Sequence, residues 1–288
     1  MPTDWGILSR DMTGDRESPP VHIFADTRAA LAEMRLSAGL AGCRIVSALS
    51  FGDDGDPSTI ALPGAAILIE LASEDPAPSA LSLLDRALAE AEAGARRCVI
   101  SAPEAMIDLV AARAWHAGIA QLCRPSADER AAAIAWACAR PGSRLHDGRR
   151  ERVFPILQPL PEPGASLRRP HAARADAAFI RTLLRTRRLR THFFRSDLFA
   201  DPAWDMLLDL MAARLEGKQV AVSSLCIAAA VPPTTALRWI GVLTEGGLVA
   251  RVADRNDGRR VYIELAEPTV RALTAWLDEA RRMLADAC

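Results

Sequence analysis

The sequence predicts two domains of different fold class: an α/β domain with a parallel sheet, followed by an α+β domain with a winged helix-turn-helix. In the first half, short apolar strand-like runs alternate with helical runs, which is the order of a parallel sheet covered by helices on both faces. In the second half, several helical runs precede two strand-like runs joined by a charged turn. The length of 288 residues is sufficient for two domains, and a composition that is 50% hydrophobic and 25% charged indicates a globular protein.

Composition and charge divide the chain into four segments. They are a polar N-terminus at 1–19 that we expect to be disordered or loosely ordered, the α/β domain at 20–140, an Arg/Pro-rich linker at 141–175, and the winged-helix domain with its flanking helices at 176–288. Residues 141–195 contain 13 basic and 4 acidic residues, whereas residues 1–140 contain 12 and 19, and residues 196–288 contain 10 and 13. A basic centre of this kind favours a polyanionic or acidic partner, and a solvated linker is the alternative.

Five strands and four helices are predicted in the α/β domain. The strands are expected at 21–27, 43–50, 65–73, 96–103 and 119–125, and the helices at 29–40, 79–94, 104–118 and 126–140. Four polar residues stand at or near strand ends: Asp26, Glu70, Ser101 and Arg124.

This order and these four residues resemble the receiver domain of response regulators, a flavodoxin-like parallel sheet, over about residues 20–140. Asp26 matches one of the family's acidic Mg²⁺-binding pair, Ser101 its Ser/Thr switch residue, and Arg124 the lysine of its Lys-Pro pair. Glu70 lies nearest the position of the phosphoacceptor Asp, and its longer side chain would miss the geometry for in-line attack. We therefore expect a pseudo-receiver that is not phosphorylated, that serves regulation or protein contact, and in which Glu70 pairs with Arg124. The alternatives are ordinary strand-end chemistry at each residue and an active receiver phosphorylated at Asp26 or Glu70.

Local signals define the helices of the second domain. Asp201 is the expected N-cap of a helix that begins at Pro202 and ends at Gly217. Ser223 or Ser224 is the expected cap of a short second helix. The third helix begins at Pro232-Pro233 and ends at Gly246-Gly247, and a hairpin and a helix at 269–286 follow it. The expected core face of the third helix consists of Ala236, Trp239, Ile240 and Leu243. The residues expected to lie largely on its other faces are Thr234, Thr235, Leu237, Arg238 and Gly241.

The stretches "TTALRWIGVLTEGGLV" and "DRNDGRR" resemble the recognition helix and the wing of the MarR family of bacterial regulators, and the resemblance covers about residues 175–288. Asp254, Asp257 and Arg259 occupy the family's Asp-x-x-Asp-x-Arg turn, whereas Ala266 and Pro268 depart from its pattern. The resemblance implies that Asp257 holds Arg259, which would enter a narrow minor groove. The expected DNA-binding residues are Thr234, Thr235, Arg238, Arg255, Arg259, Arg260 and Ser224, with Arg238 as the candidate for a guanine contact. A winged helix used for protein contact, with a solvated hairpin tip, is the alternative.

The helices near 176–194 and 269–286 match the positions that form the dimer in MarR-like proteins. Their apolar stripes would form a homodimer, and the arginines between Arg181 and Arg195 could face phosphates; a solvated basic helix is the alternative.

The sequence gives no support for an enzyme. The five histidines are scattered, no nucleotide-binding or hydrolase motif occurs, the "GDDGD" run at 52–56 has the character of a solvated turn, and the six cysteines lack the paired spacing of a zinc site. We expect no cofactor or metal, free thiols in a reducing cytoplasm, and no membrane segment. The resulting hypothesis is a cytoplasmic, homodimeric regulator of transcription that binds double-stranded DNA, with a possible protein or small-molecule effector at the N-terminal domain. The alternative is a signalling scaffold that uses both folds without DNA binding.

Overall fold

The computed structural model describes most of both predicted domains. The described residues are 18–50, 65–94, 96–114, 118–139, 170–194, 200–254, 256–257 and 260–285. Residues 1–17 of the predicted loose N-terminus, the "GDDGD" run and residues 141–169 of the predicted linker lie outside them.

The α/β domain is a five-stranded parallel sheet with helices packed against it. Its elements are β1 (Pro20–Ala25), α1 (Arg28–Leu40), β2 (Arg44–Ser50), β3 (Ala66–Glu70), α2 (Pro78–Gly94), β4 (Cys98–Ala102), a 3₁₀ turn (Glu104–Met106), α3 (Ile107–Arg113), β5 (Ile119–Cys123) and α4 (Ala127–Cys138). The strand order is β2-β1-β3-β4-β5, a doubly wound order that places the carboxyl ends of β1, β3 and β4 side by side. Strands β3 and β4 are buried on both faces, as their continuous apolar runs predicted.

The second domain has the element order of a winged helix. Its elements are α5 (Pro170–Leu189), a 3₁₀ turn (Arg190–His192), α6 (Pro202–Glu216), β6 (Val220–Ala221), α7 (Val222–Ala228), α8 (Pro233–Glu245), β7 (Val249–Ala253), β8 (Val261–Leu265) and α9 (Glu267–Ala285). The three strands form an antiparallel sheet in the order β6-β8-β7, in which β7 and β8 are the predicted hairpin.

Helices α7 and α8 have helix-turn-helix geometry. Their axes are bent by 109°, and a four-residue turn joins them. Within the part of the chain that the structure describes, no single helix is long and apolar enough to cross a membrane. Among the described helices, only α7 and α8 taken together have the length and apolar composition of such a span, and they are bent.

Several predicted helix ends are confirmed, and two local predictions are wrong. The Asp201 carboxylate accepts a hydrogen bond from the backbone N–H of Trp204, and Gly217 ends α6 with a left-handed φ of 69°. Helix α5 begins at Pro170, inside the segment predicted to be linker. Neither Ser223 nor Ser224 caps α7: its N-cap is Ala221, whose side chain has no oxygen to accept a hydrogen bond.

The two domains share a hydrophobic core, which the sequence did not predict. Ile107 and Ala111 of α3 and Cys123 of β5 are buried in the same cluster as the core of the winged helix. Helix α3 packs against α7 and β8, and β5 packs against α8. The α/β domain therefore covers part of the helix-turn-helix.

Candidate nucleic-acid interface

Helix α8, the predicted recognition helix, is buried on its expected core face. Ala236, Ile240 and Leu243 have almost no exposed surface and pack in the core of the winged helix. Trp239 is partly buried beside them. This face carries the four residues that the helical spacing predicted.

A second face of α8 is also covered, although the sequence left it outside the core. Thr234, Leu237 and Gly241 follow one another at helical spacing, so the three positions lie on one side of the helix. Leu237 is only 6% exposed, and α8 packs against β5 of the α/β domain. The extra burial is due to the second domain, whose contact a helical pattern cannot reveal.

Hydrogen bonds join the two domains at this covered face. The Thr234 Oγ1 accepts from the backbone N–H of Cys123 at 2.9 Å and donates to the carbonyl oxygen of Cys123 at 3.1 Å. The Asp108 carboxylate accepts from the backbone N–H of Ser223 at 2.9 Å and from its hydroxyl at 2.6 Å. The Arg251 guanidinium donates to the carbonyl oxygen of Ala111, and burial lowers the pKa of Arg251. Arg251 of β7 thus belongs to the domain contact.

A third face of α8 remains exposed. Arg238, Val242 and Glu245 form an exposed stripe, and Thr235 is half-buried at its start. Ser224 of α7 is exposed as well. Of the predicted DNA-binding residues on the two helices, Ser224 and Arg238 are therefore accessible, Thr235 is partly accessible, and Thr234 is engaged by the α/β domain.

The wing is braced by hydrogen bonds near its tip. The Asp254 carboxylate accepts from the Tyr262 hydroxyl at 2.9 Å and from the backbone N–H of Asn256 at 2.8 Å, and these bonds lower the pKa of Asp254. Arg260 forms an ion pair of 3.5 Å with Asp257. Arg255 and Arg259 lie outside the described residues, so the expected bond between Asp257 and Arg259 stays a prediction.

Three of the arginines upstream of the winged helix make internal contacts. Arg181 bonds to Asp209 and Glu216, and Arg187 bonds to Asp205 and Asp201, so both hold α5 to α6. Arg188 donates to the carbonyl oxygen of Ala228 at 2.9 Å. The prediction that this row faces phosphates is therefore wrong for Arg181, Arg187 and Arg188. Carboxylates neutralise the first two, and the third donates its hydrogen bond to a backbone carbonyl. Arg195 lies outside the described residues.

The strand-end residues of the α/β domain form a buried polar cluster. The Ser101 hydroxyl donates to Glu70 Oε1 at 2.9 Å, and the Arg130 guanidinium donates to Glu70 Oε2 at 2.6 Å. Burial raises the pKa of Glu70, and Arg130 and Ser101 offset part of this effect. The predicted pair of Glu70 with Arg124 is wrong, because the ion-pair partner of Glu70 is Arg130 on the inward face of α4. Arg124 follows the last residue of β5 and has a left-handed φ of 44°. Helical spacing alone could not show that Arg130 faces Glu70.

Asp26, at the end of β1, is tied to the neighbouring strand end. Its carboxylate accepts from the backbone N–H of Ala72 at 2.8 Å and of Ser73 at 2.6 Å. An open cavity of about 200 Å³ lies beside it, lined also by Thr27, Ser73 and Asp75. Within the described ranges, no group of three or more His, Cys, Asp or Glu side chains is placed to hold a metal ion.

We expect the protein to remain unmodified when it is incubated with acetyl phosphate and Mg²⁺. The Glu70 carboxylate is engaged on both oxygens by Ser101 and Arg130, and Asp26 already accepts two backbone hydrogen bonds. Aspartyl-phosphate chemistry needs a carboxylate within reach of the donor and a metal ion held beside it. Intact-mass measurement checks this. A stoichiometric gain of about 80 Da, the mass of one phosphoryl group, that hydroxylamine removes would contradict it.

Comparison with known proteins gives matches among solved structures alone. No family model matches the chain, and no curated protein matches it. The solved structures include S. aureus MepR bound to ethidium bromide, with 18% identity over 39% of this chain and 81% of that chain and a TM-score of 0.26. They also include the adhesin competence repressor AdcR from Streptococcus pyogenes, with 18% identity over 38% of this chain and 79% of that chain and a TM-score of 0.25. Apo, heme-free PefR matches with 16% identity over 39% of this chain and 96% of that chain and a TM-score of 0.21. Similarity at this level supports no conclusion about function, which has to be argued from the residues of the chain itself.

Proposed function

We propose that the protein is a DNA-binding regulator of transcription whose α/β domain controls access to the DNA-reading helix. The observation that carries this proposal is the α7–turn–α8 unit, bent by 109° and followed directly by a two-stranded hairpin, with Arg238 exposed on α8. An α helix that presents an exposed arginine can enter the major groove, and a neighbouring hairpin can reach the phosphate backbone or the minor groove.

Each predicted DNA contact other than Thr234 has a role in this proposal. Arg238 reads a base edge in the major groove, where a guanidinium makes a bidentate contact to guanine, and Thr235 and Ser224 contribute hydroxyls. Arg255, Arg259 and Arg260 of the wing neutralise phosphates, or insert into a narrow minor groove in the case of Arg259.

The α/β domain lies against the face of α8 next to the exposed face that carries Arg238. Thr234 lies in the first turn of α8 and Ser223 in the first turn of α7, and both hydroxyls bond to the α/β domain. A duplex that enters along α8 would also meet the Asp108 carboxylate, whose charge repels phosphate. Full engagement of α8 with DNA therefore requires the domain contact to open, and a protein or small-molecule effector of the α/β domain would act on this equilibrium.

We expect Arg238→Ala to weaken binding to the best genomic DNA fragment by about 1–3 kcal/mol and to relax the preference at one base pair. Arg238 is exposed, so its replacement leaves the fold intact. Fluorescence polarisation over a range of salt concentrations measures the change. Arg35→Ala, which removes an exposed arginine from α1, is the matched control for charge. Equal affinity of the wild type and Arg238→Ala would show that the assigned contact is wrong.

We also expect a homodimer formed through α5 and α9. Arg281 joins the two helices by an ion pair of 2.7 Å to Asp176 and lies over the ring of Phe179. Large apolar side chains near their ends are exposed in the single chain: Leu189, Phe193, Phe194, Met283 and Leu284. Burying these side chains against a second copy would remove them from water. Sedimentation at micromolar concentration should therefore show twice the chain mass, and the variant Phe193→Ser/Met283→Ser should sediment more slowly. A wild-type protein that sediments as a 31.0 kDa species would contradict the dimer.

One observation favours a second function, a signalling scaffold. The winged helix already uses one side of α8 for protein contact, which is a use of this fold without DNA. The two functions differ in one measurement. If neither the wild type nor a variant with an opened domain contact shows salt-sensitive binding to any genomic fragment, the scaffold is the better assignment.

A further inference from the structure

Two half-buried cysteines from distant parts of the sequence lie in contact in the α/β domain. Cys43 lies between α1 and β2, Cys138 is the last residue of α4, and 95 positions separate them along the chain. Their Sγ atoms are 3.5 Å apart. Both side chains are partly accessible, whereas Cys98, Cys123 and Cys226 are buried.

We propose that Cys43 and Cys138 form a modification site, at which a hydroperoxide oxidises the two thiols to a disulfide. The sulfur atoms of a disulfide lie about 2.05 Å apart. The gap that remains is therefore about 1.5 Å on the same scale, a distance that rotation of the two side chains can close.

The backbone on each side of the pair is held in place. Helix α1 ends in a Schellman motif, in which Gly42 has a φ of 72° and the backbone N–H of Cys43 donates to the carbonyl oxygen of Ala38 at 3.0 Å. The end of α4 is held by the Arg97 guanidinium, which donates to the carbonyl oxygens of Trp136 and Ala139. The contact between the sulfurs is thus fixed by two ordered helix ends.

Cys43 is the attacking thiol, and Cys138 is the resolving thiol. The two thiols share a hydrogen bond in which either sulfur can be the donor, and this bond lowers the pKa of Cys43 and raises the pKa of Cys138. Burial raises the pKa of Cys98 and of Cys226 to about 12. The thiolate is the reactive form, so Cys43 reacts before the buried cysteines.

The chemistry balances with a hydroperoxide as the oxidant. The Cys43 thiolate attacks the peroxide oxygen: an S–O bond forms, the O–O bond breaks, and the alkoxide leaves and takes a proton from water. Cys138 then attacks the sulfenic sulfur: the S–S bond forms, the S–O bond breaks, and hydroxide leaves as water with the Cys138 proton. In sum, two thiols lose two electrons, and the hydroperoxide becomes an alcohol and water.

A metal ion is a poorer occupant of this position. A structural zinc ion takes four ligands, and the described residues provide no third His, Cys, Asp or Glu beside the two sulfurs. The geometry therefore favours oxidation over metal binding.

The test uses the full chain with Cys288 replaced by serine, so that the terminal thiol cannot react. The protein is treated with one equivalent of hydrogen peroxide, quenched with N-ethylmaleimide and measured as an intact protein and as peptides. We expect the loss of about 2 Da, the mass of two hydrogen atoms, and a peptide that links Cys43 to Cys138. Cys138→Ser should stop the reaction at the sulfenic acid of Cys43, which dimedone traps, and Cys43→Ser should leave Cys138 reduced.

Three outcomes would overturn the proposal. They are a protein that keeps both thiols, a disulfide that maps to other cysteines, and the conversion of Cys43 to sulfinic acid while Cys138 stays reduced. The readouts do not involve DNA, so the result is independent of the proposed function. An increase in the melting temperature of the oxidised wild type, absent in both single variants, would further support the crosslink, because a disulfide restricts the unfolded chain.

Discussion

Asp108→Ala should bind DNA roughly 10-fold more tightly than the wild type, or better. A hydrogen bond to a charged group contributes about 1.5–3 kcal/mol, and the Asp108 carboxylate accepts two bonds from Ser223 across the domain contact. When the DNA-competent form is a minor population, the apparent affinity falls in proportion to that population. Loss of Asp108 weakens the closed form and removes a negative charge from the path of the duplex, so both effects act in the same direction.

Asp75→Ala is the matched control for charge. It removes an exposed carboxylate from the same domain, away from the contact with α7 and α8. Its DNA affinity should change by less than that of Asp108→Ala, because only Asp108 holds the winged helix. Equal gains by the two variants would mean that the effect is general electrostatics and that the α/β domain does not restrict access.

Hydrogen exchange separates the domain contact from DNA binding. In Asp108→Ala without DNA, the backbone amides of Ser223 and Cys123 should exchange faster, since each donates a bond across the contact. Faster exchange without any DNA binding would keep the domain contact and reject the DNA-binding function. Unchanged exchange, together with DNA binding by the wild type, would keep the DNA-binding function and reject the role of Asp108 in the domain contact.

Arg130→Met should lower the free energy of unfolding by about 3–5 kcal/mol, the usual cost of removing one partner of a buried ion pair. Arg130 is 6% exposed and pairs with Glu70 at 2.6 Å and with Glu33 at 3.0 Å. After the substitution, the buried Glu70 carboxylate keeps the Ser101 hydroxyl but loses its counter-charge. Urea denaturation followed by circular dichroism measures the loss.

Two further variants test this explanation. Glu70→Leu/Arg130→Met removes both charges and should recover most of the stability, because no buried charge is left unpaired. Arg35→Met removes an exposed arginine and should be close to neutral. If the double variant is as unstable as Arg130→Met, the loss comes from packing and not from the ion pair.

Helices and strands were predicted correctly where hydrophobic periodicity and helix caps, which depend on neighbouring residues, determine them. Alternating apolar and helical runs predicted all five strands of the parallel sheet, and an N-cap with proline predicted the start of α6 at Pro202. The two-residue strand β6 was missed, because so short a strand exists only through its pairing with β8. The early start of α5 was missed because the prolines of residues 141–175 indicated a linker, whereas Pro170 is the first residue of the helix.

The candidate site was predicted only in part. Arg238 is exposed on α8, as its position opposite the apolar stripe indicated, and Asp26, Glu70 and Ser101 do lie at adjoining strand ends. The partner of Glu70 and the contact of Thr234 with Cys123 were not predicted. Both depend on residues far away in sequence that share no pattern with them.

The sequence by itself determined the class and order of the two domains, because hydrophobic period, caps and turns are properties of neighbouring residues. Only the tertiary structure decided that α3 and β5 pack on the helix-turn-helix, that Arg130 neutralises Glu70, and that Cys43 meets Cys138. Such contacts join surfaces of separate elements, and these surfaces exist only after the elements have folded. The free energy of burying the surfaces depends on their shape and charge, to which residues from the whole chain contribute. The exposure of α8, the helix that we propose reads DNA, therefore depends on how the two domains pack together and cannot be read from the sequence of α8 alone.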